Sequence, residues 1–283
     1  MKRVVFTAVV LLVFLAGLSI LLYPYVTSYI NSLRQTRVVS QYHRDVETLS
    51  EDEFKELFEA ARLYNEALGK KANRFNLSET DMVEYLSMLD PFGNGVIGTL
   101  TIEKINVNLP IYHGTNEGVL MMGAGHMEGT SLPIGGPGTH TVITGHRGLP
   151  TALLLTELDK MVIGDTFSIN VLKETLTYEV DQIIVVEPHE LGELVIVAER
   201  DYCTLVTCTP YGINSHRMLV RGERKDTGQG QEEVTGDRAQ VPGEARAIDA
   251  KLVAGILLIP PFVIVAVYLG TSIRKLRTRG RTK

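Results

Sequence analysis

The chain has 283 residues, 45% of them hydrophobic and 22% charged, which allows a sizeable core and rules out wholesale disorder. A net charge of −5 argues against nucleic acid as the main partner. Two cysteines cannot build a disulfide scaffold, and no C-x-x-C or His-x-x-x-His spacing suggests a metal site.

The chain opens with Lys2 and Arg3 and then an apolar run over residues 4–23. A helix of that length spans roughly 30 Å, the thickness of a bilayer's hydrocarbon core. It exceeds the apolar stretch of a signal peptide and no A-x-A cleavage site follows it, so a membrane anchor is expected. Residues 24–95 read as an extracytoplasmic helical segment. Within it, Ser50-Glu51-Asp52-Glu53 forms a capping box, with Phe54, Leu57, Phe58, Ala61, Leu63 or Tyr64, and Leu68 at helical spacing. Gly69 is the expected stop.

Glycine and proline break the helical pattern at Asp90-Pro91-Phe92-Gly93-Asn94-Gly95. Over 96–224 the texture is β: Val/Ile/Thr-rich runs at Ile97–Ile105, Thr139–Thr144, Thr166–Val171, Leu176–Val186, Val195–Val197 with Thr204–Thr207, and Arg217–Arg221. No helices alternate with these runs, so a closed or nearly closed β-barrel is expected in preference to a parallel βαβ sheet. Residues 225–250 are a polar, Gly-rich tether. A second apolar run, 252–270 within an expected membrane helix at 251–270, carries Pro260 and Pro261, tolerated there at the cost of a kink. A basic tail, 271–283, closes the chain.

The two ends hold eight of the 28 basic residues and none of the 33 acidic ones. The positive-inside rule therefore places residues 1–3 and the tail in the cytoplasm and the acidic middle outside.

Cys208 ends an apolar run, Thr204-Leu205-Val206-Thr207-Cys208, and Thr209-Pro210-Tyr211-Gly212 follows as a loop. His146 sits just after another β run, in Thr144-Gly145-His146-Arg147-Gly148, and Arg217 opens the next strand. A thiolate nucleophile, a proton carrier and a cationic donor are the three groups that cysteine acyl transfer requires. His126 and His140 compete with His146 for the proton-carrier role, His140 as a residue that would face the barrel interior, while His113 ends a different strand. His216 would point away from Arg217 by strand alternation. Five residues separate Cys203 from Cys208, which sets them on opposite faces of a straight strand and out of disulfide reach.

These segments resemble the sortases, the membrane-anchored transpeptidases of Gram-positive bacteria. Thr204-Leu205-Val206-Thr207-Cys208 matches the family's T-L-x-T-C motif, and Arg217 follows nine residues later, as the family's arginine does. Thr-Gly-His146-Arg-Gly is similar to its histidine segment, and Leu109-Pro-Ile-Tyr-His-Gly and Gly129-Thr-Ser-Leu-Pro-Ile-Gly-Gly also resemble sortase segments. The match runs from about 85 to 222.

Asp90-Pro91-Phe92 resembles the lid motif of class C, pilin-polymerising sortases, and the second membrane helix points the same way. The resemblance implies an eight-stranded β-barrel with an N-terminal helical and lid segment and two terminal transmembrane helices. It implies catalytic His146, Cys208 and Arg217, with a lid whose aromatic covers the thiol. It implies cleavage of an LPxTG-type signal between Thr and Gly through a Cys thioester, and transfer to a pilin lysine. The same residues would also serve a sortase acting on cell-wall peptide amines, or a thiol hydrolase. No cofactor or metal is implied. The expected partners are pilin subunits and the membrane.

Overall fold

The computed structural model describes residues 2–71 and 73–225. The expected second membrane helix, most of the polar tether and the basic tail lie outside these residues. The chain divides into two units, one containing residues 1–30 and the other residues 31–231.

Helix α1, Lys2–Glu47, does not stop at residue 23 as the apolar run alone suggested. The polar residues after Tyr23 include no helix terminator, and Pro24 is accommodated within the helix. Its first unit exposes Val5, Phe6, Leu12, Val13, Phe14, Ile20 and Leu21, an apolar surface long enough to cross a membrane.

In the second unit, α2 (Glu51–Gly69) starts at the capping box read from the sequence. Ser50 Oγ accepts from the Glu53 amide, and Glu53 accepts from the Ser50 amide at 2.9 Å. The buried stripe is Ala61, Tyr64, Asn65 and Leu68, while Leu63 faces outward. A second capping box, Ser78 with Asp81, starts α3, Glu79–Ser87.

The eight strands are β1 Val96–Ile102, β2 Val107–His113, β3 Ala124–His126, β4 Thr139–Thr144, β5 Thr166–Val171, β6 Glu174–Val186, β7 Asp201–Thr209 and β8 His216–Arg224. They close into a barrel in the order β1-β2-β3-β4-β7-β8-β6-β5. The pairs β2–β3 and β4–β7 are parallel and the others antiparallel. The short helix α4, Glu117–Met122, connects β2 to β3.

The barrel interior is filled by Ile97, Leu100, Ile111, Ile143, Ile169, Leu205 and Val220 among others. Two predicted runs end differently. Ile97–Ile105 turns into a 3-10 helix at Glu103, and Val195–Val197 is loop. The carbonyl of Val195 is taken by a histidine side chain instead of a neighbouring strand.

Candidate active site

Strand alternation sorts β7 into two faces. Cys203 and Leu205 belong to the interior cluster, while Val206 belongs to a smaller cluster outside it, with Val142, Leu194 and Leu219. Cys208 is in phase with Val206, so the site lies on the outer wall of the barrel. Cys203 is fully buried and burial pushes its thiol well above the ordinary range, whereas Cys208 is partly exposed. Both thiols are free.

Three elements bring the predicted residues together. Cys208 and Arg217 are directly opposed across the antiparallel β7–β8 pair. The end of β4 runs parallel to β7, with Thr144 opposite Val206, so the chain leaves β4 beside the strand of Cys208. Gly145 continues the ladder by donating its amide to the Val206 carbonyl at 3.0 Å. His146 follows, and the three side chains line one cleft of about 280 Å³.

The turn that carries His146 is held from several sides. Thr207 Oγ1 donates to the Gly145 carbonyl at 2.8 Å, and the Leu155 amide donates to the His146 carbonyl at 3.1 Å. A side chain at residue 145 would meet Leu155 Cγ at 2.7 Å, so glycine is required there. Arg147, with only 8% of its side chain exposed, pairs with Asp159 at 2.5 Å and reaches over the Tyr211 ring. Gly148, at φ +77°, takes a left-handed conformation under the same ring.

The Arg217 guanidinium donates to the carbonyls of Asn214 and His216 at 3.3 and 3.2 Å. These contacts hold its fork at the strand end, and among the described residues no acidic group lies at hydrogen-bond distance from it.

One wall of the cleft comes from the β6–β7 connection, through Glu187, Glu190, Leu191 and Leu194. His140 fastens that connection: its Nδ1 donates to the Val195 carbonyl at 2.8 Å and its Nε2 accepts from Thr204 Oγ1 at 2.7 Å. His140 therefore faces outward from β4, in phase with Val142, and not into the barrel interior. Burial holds its pKa down at about 4. His126 is likewise structural, bonded to the Ser131 carbonyl and the Tyr85 hydroxyl, and burial also lowers it to about 4. His113 packs edge-on against Tyr85, and His216 lies 3.3 Å from Glu187.

The Asp90-Pro91-Phe92 triplet is not brought to this cleft. Asp90 caps its own turn, accepting from the Asn94 and Gly95 amides at 3.0 and 2.9 Å. Phe92 packs with Tyr42, Val46 and Val96, between α1 and the first two strands. The expected cover over the thiol is therefore absent at these residues, because local turn chemistry and the apolar face of α1 claim them.

Phe75, between α2 and α3, packs instead on the cluster of Val206, Leu219, Val186 and Leu191 that floors the cleft. Arg74 anchors it by donating to the carbonyls of Gly129 and Leu194 at 2.8 and 2.6 Å, with its guanidinium 4.4 Å from the Phe75 ring centre. Sequence reasoning missed these two residues, along with Glu117, whose carboxylate lies 3.4 Å from His146 Nε2. No local pattern marks any of the three. Their roles come from contacts with residues far away in the chain.

The profile described as a sortase domain matches residues 100–225. Sortase D of Bacillus subtilis is 29% identical over 184 residues, which is 64% of this chain and 86% of that protein. The crystal structure of sortase C1 from Streptococcus agalactiae is 44% identical with a TM-score of 0.65, covering 67% of this chain and 98% of that one. The crystal structure of Streptococcus pneumoniae sortase C is 43% identical with a TM-score of 0.60, covering 67% of this chain and 96% of that one. A cysteine, a histidine and an arginine converging on the wall of a closed eight-stranded barrel, at this level of identity, place the chain in the sortase family of cysteine transpeptidases.

Proposed function

We propose that the protein is a class C sortase that polymerises pilins, with Cys208, His146 and Arg217 as its catalytic residues. The observation that carries this reading is the convergence of the three side chains in one cleft, from three different strand ends. Identities above 40% to pilus-associated sortases support the choice of class.

In this reading the Cys208 thiolate attacks the Thr–Gly carbonyl of an LPxTG-type sorting signal. A C–S bond forms, and the C–N bond breaks as His146 gives its proton to the departing glycine amine. A pilin lysine amine then attacks the thioester. His146 takes the proton back, and an isopeptide bond replaces the thioester. Arg217 offers a planar fork of donors to the oxyanion or to the bound signal, a geometry that a lysine cannot match. The apolar floor of Val206, Leu219 and Leu194 suits the aliphatic part of the signal.

The apolar segment of α1 anchors the enzyme in the membrane, with residues 1–3 cytoplasmic and the barrel of 96–224 outside. The proposed orientation puts both termini in the cytoplasm.

The test is intact-mass analysis of the full chain in detergent, mixed with a pilin bearing a sorting signal and a lysine. The expected result is a thioester adduct and a pilin ladder, both lost in Cys208→Ala and retained in Cys203→Ala. An adduct that decays to free acid without a ladder would make the protein a hydrolase, or a sortase with a different acceptor. No adduct at all would sink the transpeptidase reading.

A further inference from the structure

His146 Nε2 is buried and makes no aligned hydrogen bond. Its neighbour is the carboxylate of Glu117, the first residue of α4, at 3.4 Å. That is an ion-pair separation, and it is the only one the ring makes among the described residues. The other charged groups around the cleft are engaged elsewhere or stand on other walls. Arg147 pairs with Asp159, Arg217 donates to backbone carbonyls, and Glu187 and Glu190 belong to the β6–β7 connection, with Glu187 beside His216.

Helix α4 is well fixed for such a role. Asn116 caps it by accepting from the Val119 amide at 3.1 Å. Leu120 is buried, and both Thr115 and Leu120 line the cleft. Glu117 itself is 77% exposed, so packing does not dictate a carboxylate at this position.

We propose that Glu117 is a positioning residue for His146. Its carboxylate receives the Nε2–H and sets the ring's orientation. Nδ1 then remains as the nitrogen that exchanges protons in the cleft. A carboxylate on one imidazole nitrogen both selects the tautomer and steadies the charged ring, which is the logic of acid–histidine pairs in general. Because the pair sits at the solvent edge, its contribution is orientation more than binding energy.

The inference rests on the transpeptidase reading for its consequence. With the ring charged, Nδ1–H goes to the departing glycine amine while Nε2–H stays on Glu117. The neutral ring that results presents an open Nδ1 to the proton of the incoming amine.

The experiment uses the full chain in nanodiscs with ¹⁵N-labelled histidine, the His146 signals being assigned by their loss in His146→Gln. Wild type is expected to show a protected Nε2–H proton. Glu117→Ala is expected to lose that proton and to lower kcat about tenfold or more, leaving KM for the sorting peptide unchanged. Glu117→Asp is expected to restore most of kcat, and Glu117→Gln, an acceptor without charge, to fall between. An Nε2 without a proton in the wild type, or a Glu117→Ala enzyme with wild-type kcat, would overturn the proposal. A change confined to KM would also overturn it, since it would make Glu117 a docking residue. Failure of the transpeptidase reading would show separately, as no Cys208-dependent turnover in wild type, while the histidine signals would still report on the pair.

Discussion

The hydroxyl of Thr207 donates to the carbonyl of Gly145 at 2.8 Å. The residue before Cys208 thus holds the residue before His146, so one hydrogen bond ties together the two segments that carry the proposed reacting pair. Thr207→Val keeps the side chain's shape and removes that bond. The expected cost is about 1 kcal/mol of stability, with a fall in kcat larger than any change in KM. Denaturant midpoints and peptide turnover read both effects.

The two cysteines should differ sharply in reactivity. Burial raises the Cys203 thiol and the interior cluster shields it, while Cys208 opens into the cleft. Iodoacetamide is expected to modify the folded chain once, at Cys208, and mass mapping of the labelled peptide checks this. Cys203→Ala should retain turnover at a stability cost of about 1 kcal/mol for the small cavity left behind. Labelling of Cys203 at the same rate as Cys208 would contradict the packing described.

Phe75 and Phe92 make opposing predictions. Arg74→Ala with Phe75→Ala removes side chains that pack against the Val206 and Leu219 cluster beside the cleft and should speed alkylation of Cys208 several-fold. Asp90→Ala with Phe92→Ala should leave that rate unchanged and lower the melting temperature, since those residues cap a turn and pack on α1. The reverse outcome would return the cover to Asp90-Pro91-Phe92.

Two buried histidines set the acid limit of stability. Burial lowers both His126 and His140 from 6.5 to about 4. Below pH 6.5 the unfolded chain takes up protons that the folded chain refuses. Stability is therefore complete above pH 6.5 and falls as the pH drops toward 4, by up to about 1.4 kcal/mol per pH unit for each histidine. Denaturation midpoints between pH 7 and 4 measure the slope, and a flat profile would show that neither ring is held neutral. Protonation of His140 at Nε2 ends its acceptance from Thr204 Oγ1 and leaves the Nδ1–H bond to the Val195 carbonyl in place.

Arg217→Lys preserves the charge and discards the fork. The expected loss in kcat is on the order of 10²-fold, comparable to removal of an oxyanion donor. Retention of most activity would mean that a point charge suffices at this position.

What was legible in the sequence was local. The capping box at Ser50 and Glu53 involves a single turn, and it forms as read. Strands Thr139–Thr144 and Thr166–Val171 have the expected bounds, because alternation and flanking turn residues define them at close range. Cys208 and His146 stood out because each follows a β run and is flanked by a glycine or proline turn, and Arg217 because it opens the next run.

The missing parts depended on distant partners. Val195–Val197 has strand composition, yet its backbone satisfies His140, 55 residues away. Glu117 lies 29 residues before His146 with no periodic link to it, and Phe75 meets the Val206 cluster only after α2 and α3 have packed. Asp90-Pro91-Phe92 matched a motif whose role requires a tertiary contact, and a competing contact with Tyr42 and Val46 holds it elsewhere.

The parallel pairing of β4 with β7 carries a further consequence for a chain still in the act of folding. Side chains alternate along a strand with period two, so slipping β4 by one residue would turn Ile143 out of the interior and carry the histidine's turn away from the thiol. The same register that fills the barrel also brings the turn of His146 beside the strand of Cys208. A molecule whose barrel has not closed therefore has Cys208 without His146 beside it. In the proposed reading, reactivity then comes with closure, and the unfinished chain needs no separate safety catch.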